Sequence, residues 1–339
     1  VPAENYPFCT IDPSVGIVPV PDERLGILTS LSNSKKTIPA VIEFVDIAGL
    51  VKGASVGEGL GNKFLSNIRE VDAIAEVVRI FDDTNVVHVA GQVDPIEDIS
   101  VINLELILSD LQTVSKRLEN INKDVKAGKK EAIAEKLVLE KLMIVLGNGQ
   151  LANTAGLSVE EKATSKLLNL LSEKPIIYVL NKKAGAVNLD EVQDERYEKL
   201  MDFLVSSKSN YCLVDAKIEE ELKDLEGEEK DAFRNELGAQ DDGINNLICE
   251  GFKTLGLINY FTTGEDETRS WTIKNSSTAP VAGMAIHTDF KDKFIRAEVI
   301  YWKDLVDNGG YAKAREKGLV KTEGKEYVVK DGDIIEFKI

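Results

Sequence analysis

The stretch that most constrains this chain is a short apolar strand followed by a run of glycines. Residues 41–45 read Val-Ile-Glu-Phe-Val, and this predicted strand ends at Asp46 in the sequence Asp-Ile-Ala-Gly. Five glycines then lie between positions 49 and 61. The arrangement suits a carboxylate delivered to a phosphate–magnesium site beside a loop that senses the phosphate. An ordinary strand-to-turn junction has the same pattern, so both interpretations stand at this point.

Strands alternate with helices through most of the chain, which is typical of a mostly parallel α/β sheet. Apolar runs predict strands at 15–21, 41–45, 73–81, 174–181 and 211–214. Helices are expected between them, including 158–171 and an acidic stretch at 217–237. The predicted fold class is therefore α/β.

Two segments interrupt or follow this pattern. From Asp98, apolar residues recur every three or four positions as far as Leu146, with a break at 127–130, which predicts an antiparallel helical hairpin. Lysines 123, 126, 129 and 130 lie near its tip, either as a binding patch or as a solvated turn. From about Leu255, strand and turn signals predict a small α+β module.

Composition excludes several classes of protein. No apolar run approaches the roughly 18 residues that a membrane-spanning helix needs. The three cysteines are odd in number and lack metal-binding spacing, which favours the cytoplasm. With two histidines, His88 and His287, histidine-based metal chemistry is not expected, and both are interpreted as structural. A net charge of −17 argues against general nucleic-acid binding.

Two long motifs resemble one known family. Residues 5–13 (Asn-Tyr-Pro-Phe-Cys-Thr-Ile-Asp-Pro), together with 46–50 and 57–62, resemble the YchF (Obg-like ATPase) family of P-loop proteins. The C-terminal stretches at 260–262, 269–272, 286–290 and 294–298 resemble the TGS domain of that family, a ubiquitin-like β-grasp fold. The resemblance implies a P-loop NTPase domain over 1–97 and 165–250, a helical insertion over 98–164, and a TGS domain over 251–339.

The resemblance also implies roles for residues around the glycine-rich stretch. Thr10 would be the switch threonine, reaching magnesium and the γ-phosphate, and Asp46 would hold magnesium through a water. The N–H of Gly49 would sense the γ-phosphate. Leu50 stands where many relatives of this class place a glutamine that orients the attacking water. Since leucine cannot form a hydrogen bond there, slow intrinsic hydrolysis is expected.

Two departures from the expected pattern affect the function. The chain contains no Gly-x-x-x-x-Gly-Lys-Ser/Thr phosphate loop. The family has this loop just before the position of Val1, so roughly 30 residues are expected to precede the chain. A protein that truly lacked them could not be a working NTPase.

The second departure concerns base recognition. Guanine-binding proteins use Asn-Lys-x-Asp after this strand, whereas residues 181–184 read Asn-Lys-Lys-Ala, without the glutamate typical of the family at Ala184. Asn188-Leu189-Asp190-Glu191 restores the family spacing further on, but Asn181 follows its strand directly and is preferred. Asn181 and Lys182 are therefore predicted to contact the nucleotide. Asp215 and Ala216 are predicted to form the last base-contacting loop, with a plain turn as the alternative.

These residues favour a slow, magnesium-dependent ATPase switch in the cytoplasm. By resemblance, a monomer would bind the ribosome through the hairpin and the TGS domain, and no membrane is expected as a partner. Two alternatives are a GTP-specific GTPase of the Obg-related class and a nucleotide-independent adaptor. The residues ahead of Val1 would distinguish the adaptor, and competition between ATP and GTP would distinguish the GTPase.

Overall fold

The computed structural model describes residues 14–47, 60–83, 91–223, 225, 227–236 and 243–339. Within these ranges, the strands are β1 Ser14–Pro19, β2 Thr37–Ile38, β3 Val41–Asp46, β4 Ile74–Arg79, β5 Phe81–Asp82, β6 Ile176–Lys182, β7 Val187–Asn188, β8 Asn210–Asp215, β9 Leu257–Thr263, β10 Thr268–Lys274, β11 Arg296–Tyr301, β12 Lys321–Glu323 and β13 Asp333–Lys338. The helices are α1 Glu23–Ser32, α2 Leu60–Glu70, α3 Pro95–Lys126, α4 Lys130–Gly147, α5 Val159–Ser165, α6 Glu195–Ser206, α7 Ala216–Leu222, α8 Gly227–Glu236, α9 Gly243–Thr254, α10 Ala279–Gly283, α11 Asp289–Lys293, α12 Trp302–Asp307 and α13 Tyr311–Glu316.

A parallel sheet organises the first of two compact units, which comprises the described residues of 1–15 and 45–247. Its strands lie in the order β4-β6-β8, all parallel. Because both faces of such a sheet are covered, strand β6 is apolar almost throughout. One face belongs to the cluster formed by Val78, Ile80, Val93, Ile99, Tyr178, Leu180, Leu189, Leu200 and Leu204.

The helical hairpin of α3 and α4 belongs to the same unit. Asp94 caps α3 by accepting the N–H groups of Ile96 and Glu97, both at 3.1 Å, and Pro95 occupies the first helical position. At the tip, Gly128 adopts a positive φ of 77° that permits the turn into α4. The two helices share an apolar core of Ile107, Val114, Ile121, Val138, Leu139, Leu142 and Leu146, joined by Ala152 and Leu170.

Two predicted helices are shorter in the structure. The helix expected over 158–171 ends as α5 at Ser165, and Asn169 adopts a left-handed conformation with φ of 48°. The residues after Asn169 leave the helix because Asp110 accepts the N–H groups of Leu171 and Ser172, at 2.9 and 2.7 Å. The acidic stretch at 217–237 forms two helices, α7 and α8, rather than one.

The second unit comprises residues 16–44 and 248–339 and is built on a mixed sheet. The strand order is β12-β11-β13-β9-β10-β2, with β13 parallel to β9 at its centre. Apolar clusters cover both faces of this sheet. One contains Tyr260, Ile273, Ala279, Ala282, Phe294, Ala297, Val299, Val329 and Ile335. The other contains Leu25, Leu28, Phe261, Ile300, Leu305, Ala314 and Ile334.

These sheets confirm the predicted fold class: a parallel α/β sheet interrupted by a helical hairpin, and a C-terminal α+β fold. Strand β9 and helix α9 were not among the predicted elements. The three-part division into domains stays a prediction; by contacts, the stretch from Gly16 to Phe44 groups with residues 248–339. In the part of the chain that the structure describes, no helix is long and apolar enough to cross a membrane.

Candidate functional site

The carboxyl ends of the three parallel strands lie side by side in the first unit. In the register of the sheet, Asn181 of β6 lies between Arg79 of β4 and Val214 of β8, and Lys182 is paired with Asp215. Ligands of open α/β sheets bind beyond this edge, because loops of successive strands meet there. The four residues predicted to contact the nucleotide, Asn181, Lys182, Asp215 and Ala216, are therefore brought together at one edge.

Hydrogen bonds fix the relative positions of these residues. The Oδ1 atom of Asn181 accepts the Ala216 N–H at 3.1 Å, which leaves Nδ2 without a partner among the described residues. The Oδ2 atom of Asp215 accepts the Ala184 N–H at 2.6 Å. The other oxygen of Asp215 caps helix α7 by accepting the N–H groups of Lys217 and Ile218, at 3.0 and 3.1 Å. The loop after β6 and the start of α7 are thus joined by hydrogen bonds. We call this part of the carboxyl edge, residues 181–184 with Asp215 and Ala216, the rim.

Lys182 is held by two carboxylates from the loop that follows β7. Its ammonium lies 2.7 Å from Asp190 Oδ2 and 2.7 Å from Glu191 Oε1. Burial alone would lower the pKa of Lys182, but the hydrogen bonds that its ammonium donates to Asp190 and Glu191 outweigh burial and raise the pKa. The same contact lowers the pKa of Glu191. The Lys182 side chain is therefore charged and directed along the rim.

Asn188, the first residue of the alternative base motif, is buried, and its amide bonds the main chain of Lys183 and the side chain of Glu191. Its Oδ1 accepts the Lys183 N–H at 3.0 Å, and its Nδ2 donates to the Lys183 carbonyl at 3.2 Å. Leu189 beside it is fully buried in the core. This geometry gives Asn188 a bracing role for the loop and leaves Asn181 as the amide at the strand end.

An aromatic and charged cluster beside the rim was missed by sequence reasoning. The guanidinium of Arg79 lies 4.5 Å from the centre of the Phe81 ring, and the Lys183 ammonium lies 6.0 Å from it. Lys183 also pairs with Asp83, while Asp82 accepts from Arg196 at 2.8 Å. The consecutive lysines after Asn181 were the available signal, but spacing alone does not reveal that each binds a different acidic partner.

The predicted magnesium site can be described only in part. Asp46 is the last residue of β3 and its side chain is exposed. A carboxylate at a strand end fits magnesium, which takes one or two carboxylates together with waters and phosphate oxygens. Thr10, Gly49 and Leu50 lie outside the described residues, and so does His88. Among the described residues, no group of three or more His, Cys, Asp or Glu side chains could hold a metal by itself.

His287 belongs to the second unit, whereas the rim belongs to the first. It lies in an exposed turn. Its Nδ1 accepts the N–H of Asp289 at 3.2 Å, and its side chain is 64% exposed. A turn contact of this kind agrees with the structural interpretation of His287.

The fold and the rim together define a class, the nucleotide-binding α/β proteins whose ligand lies at the carboxyl edge of a parallel sheet. Known families match both ends of the chain. The family described as "50S ribosome-binding GTPase" matches residues 1–109. The YchF-GTPase_C family, described as "Protein of unknown function (DUF933)", matches residues 257–339.

Similar proteins match the chain over almost its whole length. The "Ribosome-binding ATPase YchF" of Bacillus subtilis (strain 168) is 51% identical over 98% of this chain and 91% of that protein. Its namesake in Escherichia coli O157:H7 is 45% identical over 99% and 92%. The solved structure of the Schizosaccharomyces pombe YchF GTPase has a TM-score of 0.84 at 39% identity, covering 98% of this chain and 90% of that one. The chain belongs to the YchF family and hence to the P-loop nucleotide hydrolases. The resemblance stated from the sequence is confirmed.

Proposed function

We propose that this protein is a magnesium-dependent nucleotide triphosphatase that prefers ATP over GTP and acts as a slow switch on the ribosome. The observation that carries the proposal is the rim at the carboxyl edge of the sheet, where Asn181 accepts the Ala216 N–H and Asp215 accepts the Ala184 N–H. The names of the relatives, ribosome-binding ATPases, support the same assignment. A ribosomal role would place the protein in the cytoplasm. We propose that it acts there as a monomer.

The preference for ATP is supported by two features of the rim. Ala184 supplies no carboxylate for the N–H donors of guanine. The Ala216 N–H is already donated to Asn181, so it is not free for the 6-oxo group of guanine. The Nδ2 of Asn181 can still donate a hydrogen bond to a purine ring nitrogen.

Chemistry at the γ-phosphate would depend on a small number of groups. Magnesium, held by Asp46 through water and by Thr10, would neutralise the charge that develops on the phosphate. The Gly49 N–H would sense the phosphate. Leu50 offers no hydrogen bond to the attacking water, which supports slow intrinsic turnover.

The test is to measure ATP and GTP affinity and turnover on full-length protein, with and without magnesium. We expect tighter binding of ATP and slow hydrolysis. Absence of magnesium-dependent binding of either nucleotide would contradict the proposal. Ribosome binding without nucleotide binding would favour the adaptor alternative.

Ribosome contact is assigned to the hairpin tip and the TGS-like second unit. Lys123, Lys126 and Lys130 are exposed around the turn between α3 and α4, where they can reach phosphate oxygens. Replacing all three by alanine should weaken ribosome co-sedimentation by about tenfold and reduce its salt dependence. Lys199→Ala, on an exposed lysine of α6, is the control and should leave co-sedimentation unchanged.

A further inference from the structure

Helix α2 follows the glycine-rich stretch in the sequence and is fastened to the base of the helical hairpin. Its last turn carries Arg69, whose Nη2 donates to the hydroxyls of Ser109 and Thr113 on α3, at 3.2 and 3.4 Å. The Nη1 of Arg69 donates to the main-chain oxygen of Asn169, at 3.2 Å. One guanidinium therefore joins the end of α2 to the hairpin and to the segment that leads into β6.

The bonds run in both directions across this junction. The Nδ2 of Asn169 donates to the Arg69 carbonyl at 3.1 Å. The ammonium of Lys174 donates to the carbonyls of Arg69 and Val71, at 3.1 and 2.6 Å, and to Asn169 Oδ1 at 3.3 Å. Because the ammonium has three hydrogens, these contacts use all of its donors. The main-chain carbonyl groups at the end of α2 are thus held by hydrogen bonds, as the side chain of Arg69 is.

The hairpin side of the junction is held by buried hydrogen bonds of Asp110. Asp110 of α3 is fully buried and accepts the Leu171 N–H at 2.9 Å, the Ser172 N–H at 2.7 Å and the Ser172 hydroxyl at 2.6 Å. Beneath these polar contacts, an apolar cluster joins α2 to α3 and to the segment before β6: Leu65, Ile68, Leu106 and Leu171. Polar and apolar contacts together bind α2 and α3 along the same side.

From this junction we infer that α2 and the base of the hairpin move as one body, so that the nucleotide state sets the orientation of the hairpin. The inference rests on the proposed function, in which the segment from Asp46 to Gly61 responds to the γ-phosphate. A shift of α2 alone would break the Arg69 and Lys174 contacts and expose the shared apolar cluster. A shift of α2 together with α3 and residues 169–174 preserves them, and α3 transmits it to the lysines at the tip.

Coupling of this kind is reciprocal and can be measured from both sides. The test variant is the double substitution Ser109→Ala and Thr113→Val, which removes the α3 acceptors while Arg69 keeps its bond to Asn169. A second variant, Arg69→Lys, keeps the charge but loses the fork that spans both partners. The control is Arg117→Ala, which removes a bidentate pair with Glu135 inside the hairpin, at 2.6 and 2.9 Å, and leaves α2 untouched.

Two readouts are compared between ADP and a non-hydrolysable ATP analogue in full-length protein. Amide hydrogen exchange of residues 105–115 and 169–174 should differ by about threefold or more in the wild type. Ribosome affinity should differ by about fivefold or more. Both differences should fall below about twofold in S109A/T113V and in R69K, and persist in R117A.

Three results would overturn the inference in different ways. Wild-type protein that binds nucleotide and shows exchange differences in α2 but none in residues 105–115 would show that the junction does not transmit. Full differences retained in both test variants would exclude Arg69 as the connection. A nucleotide titration that shows no binding at all would overturn the proposed function first, and the inference with it.

Discussion

Glu76 has a buried carboxyl group whose ionisation affects the stability of the first unit. It belongs to β4 and is 8% exposed, near Asp98 of α3 and Tyr178 of β6. Burial, and next the charge of Asp98, raises the pKa of Glu76 to about 8 from an ordinary value of 4.5. Because its folded pKa is raised, its contribution to stability is complete below pH 4.5 and is lost as the pH rises to about 8.

Glu76→Gln should remove this pH dependence. Within the window, the wild type loses about 1.4 kcal/mol of unfolding free energy per pH unit from this group, whereas a neutral glutamine loses none. Urea unfolding followed by far-UV circular dichroism at pH 5, 7 and 8.5 measures the slope. Glu97→Gln, at an exposed position of α3, is the control. An unchanged slope in E76Q would show that Glu76 is not the titrating group.

In the proposed function, Ala184 is the residue that disfavours guanine. Ala184→Asp recreates Asn-Lys-x-Asp, and an aspartate there can accept both guanine N–H donors. We expect GTP affinity to rise by about tenfold or more, because hydrogen bonds to a charged group contribute about 1.5–3 kcal/mol. Competition of labelled ATP by GTP measures the change. Ala184→Asn is the matched control, since an amide oxygen lacks the charge; an equal gain in both variants would contradict the account.

At the scale of elements, the stability of the hairpin comes from one side of each helix. Leu142 of α4 is fully buried in the hairpin core, whereas Ile144 on the same helix is 65% exposed. Leu142→Ala should therefore lower the free energy of unfolding by about 2–5 kcal/mol, and Ile144→Ala by less than about 0.5 kcal/mol. Thermal unfolding followed by circular dichroism compares them. Equal losses would mean that α4 packs by a different face.

The elements that the sequence predicted are those whose signals are local. Helices α3 and α4 follow from apolar periodicity over 50 residues, and β6 from a continuous apolar run. The end of α5 could not be predicted, because it depends on Asp110, a residue some 60 positions earlier that binds the main chain of Leu171 and Ser172. Likewise, Asn181 could be predicted as a rim residue because it lies at the end of a buried strand. The partners of Lys182, Asp190 and Glu191, could not be predicted, because the path of the loop after β7 does not follow from residue spacing.

At the scale of the molecule, α1 belongs to the C-terminal unit. Leu28 of α1 is fully buried against Phe261, Ile300 and Ile334. The two buried leucines of this short helix would fit any apolar core, so the sequence around α1 does not indicate which sheet it joins. Only the completed tertiary structure decides it.

Leu28→Ala should therefore destabilise the C-terminal unit by about 2–5 kcal/mol. Both tryptophans, Trp271 and Trp302, lie in this unit, so tryptophan fluorescence during urea unfolding reports on it alone. Ile27→Ala, whose side chain is 41% exposed on the same helix, should change the midpoint little. A tryptophan transition that ignores L28A would show that α1 does not support this core.

The division of this unit between the two ends of the chain also affects how the protein is made. A ribosome synthesises residues 248–339 about 200 positions after residues 16–44. At about 5–20 residues per second, the early segment waits roughly 10–40 seconds for the strands it will pack against. During that interval the cluster partners of Leu25 and Leu28 beyond residue 247, such as Phe261 and Ile334, have not yet been synthesised. Biosynthesis thus leaves the two buried leucines of α1 without their native packing for longer than most folding events take.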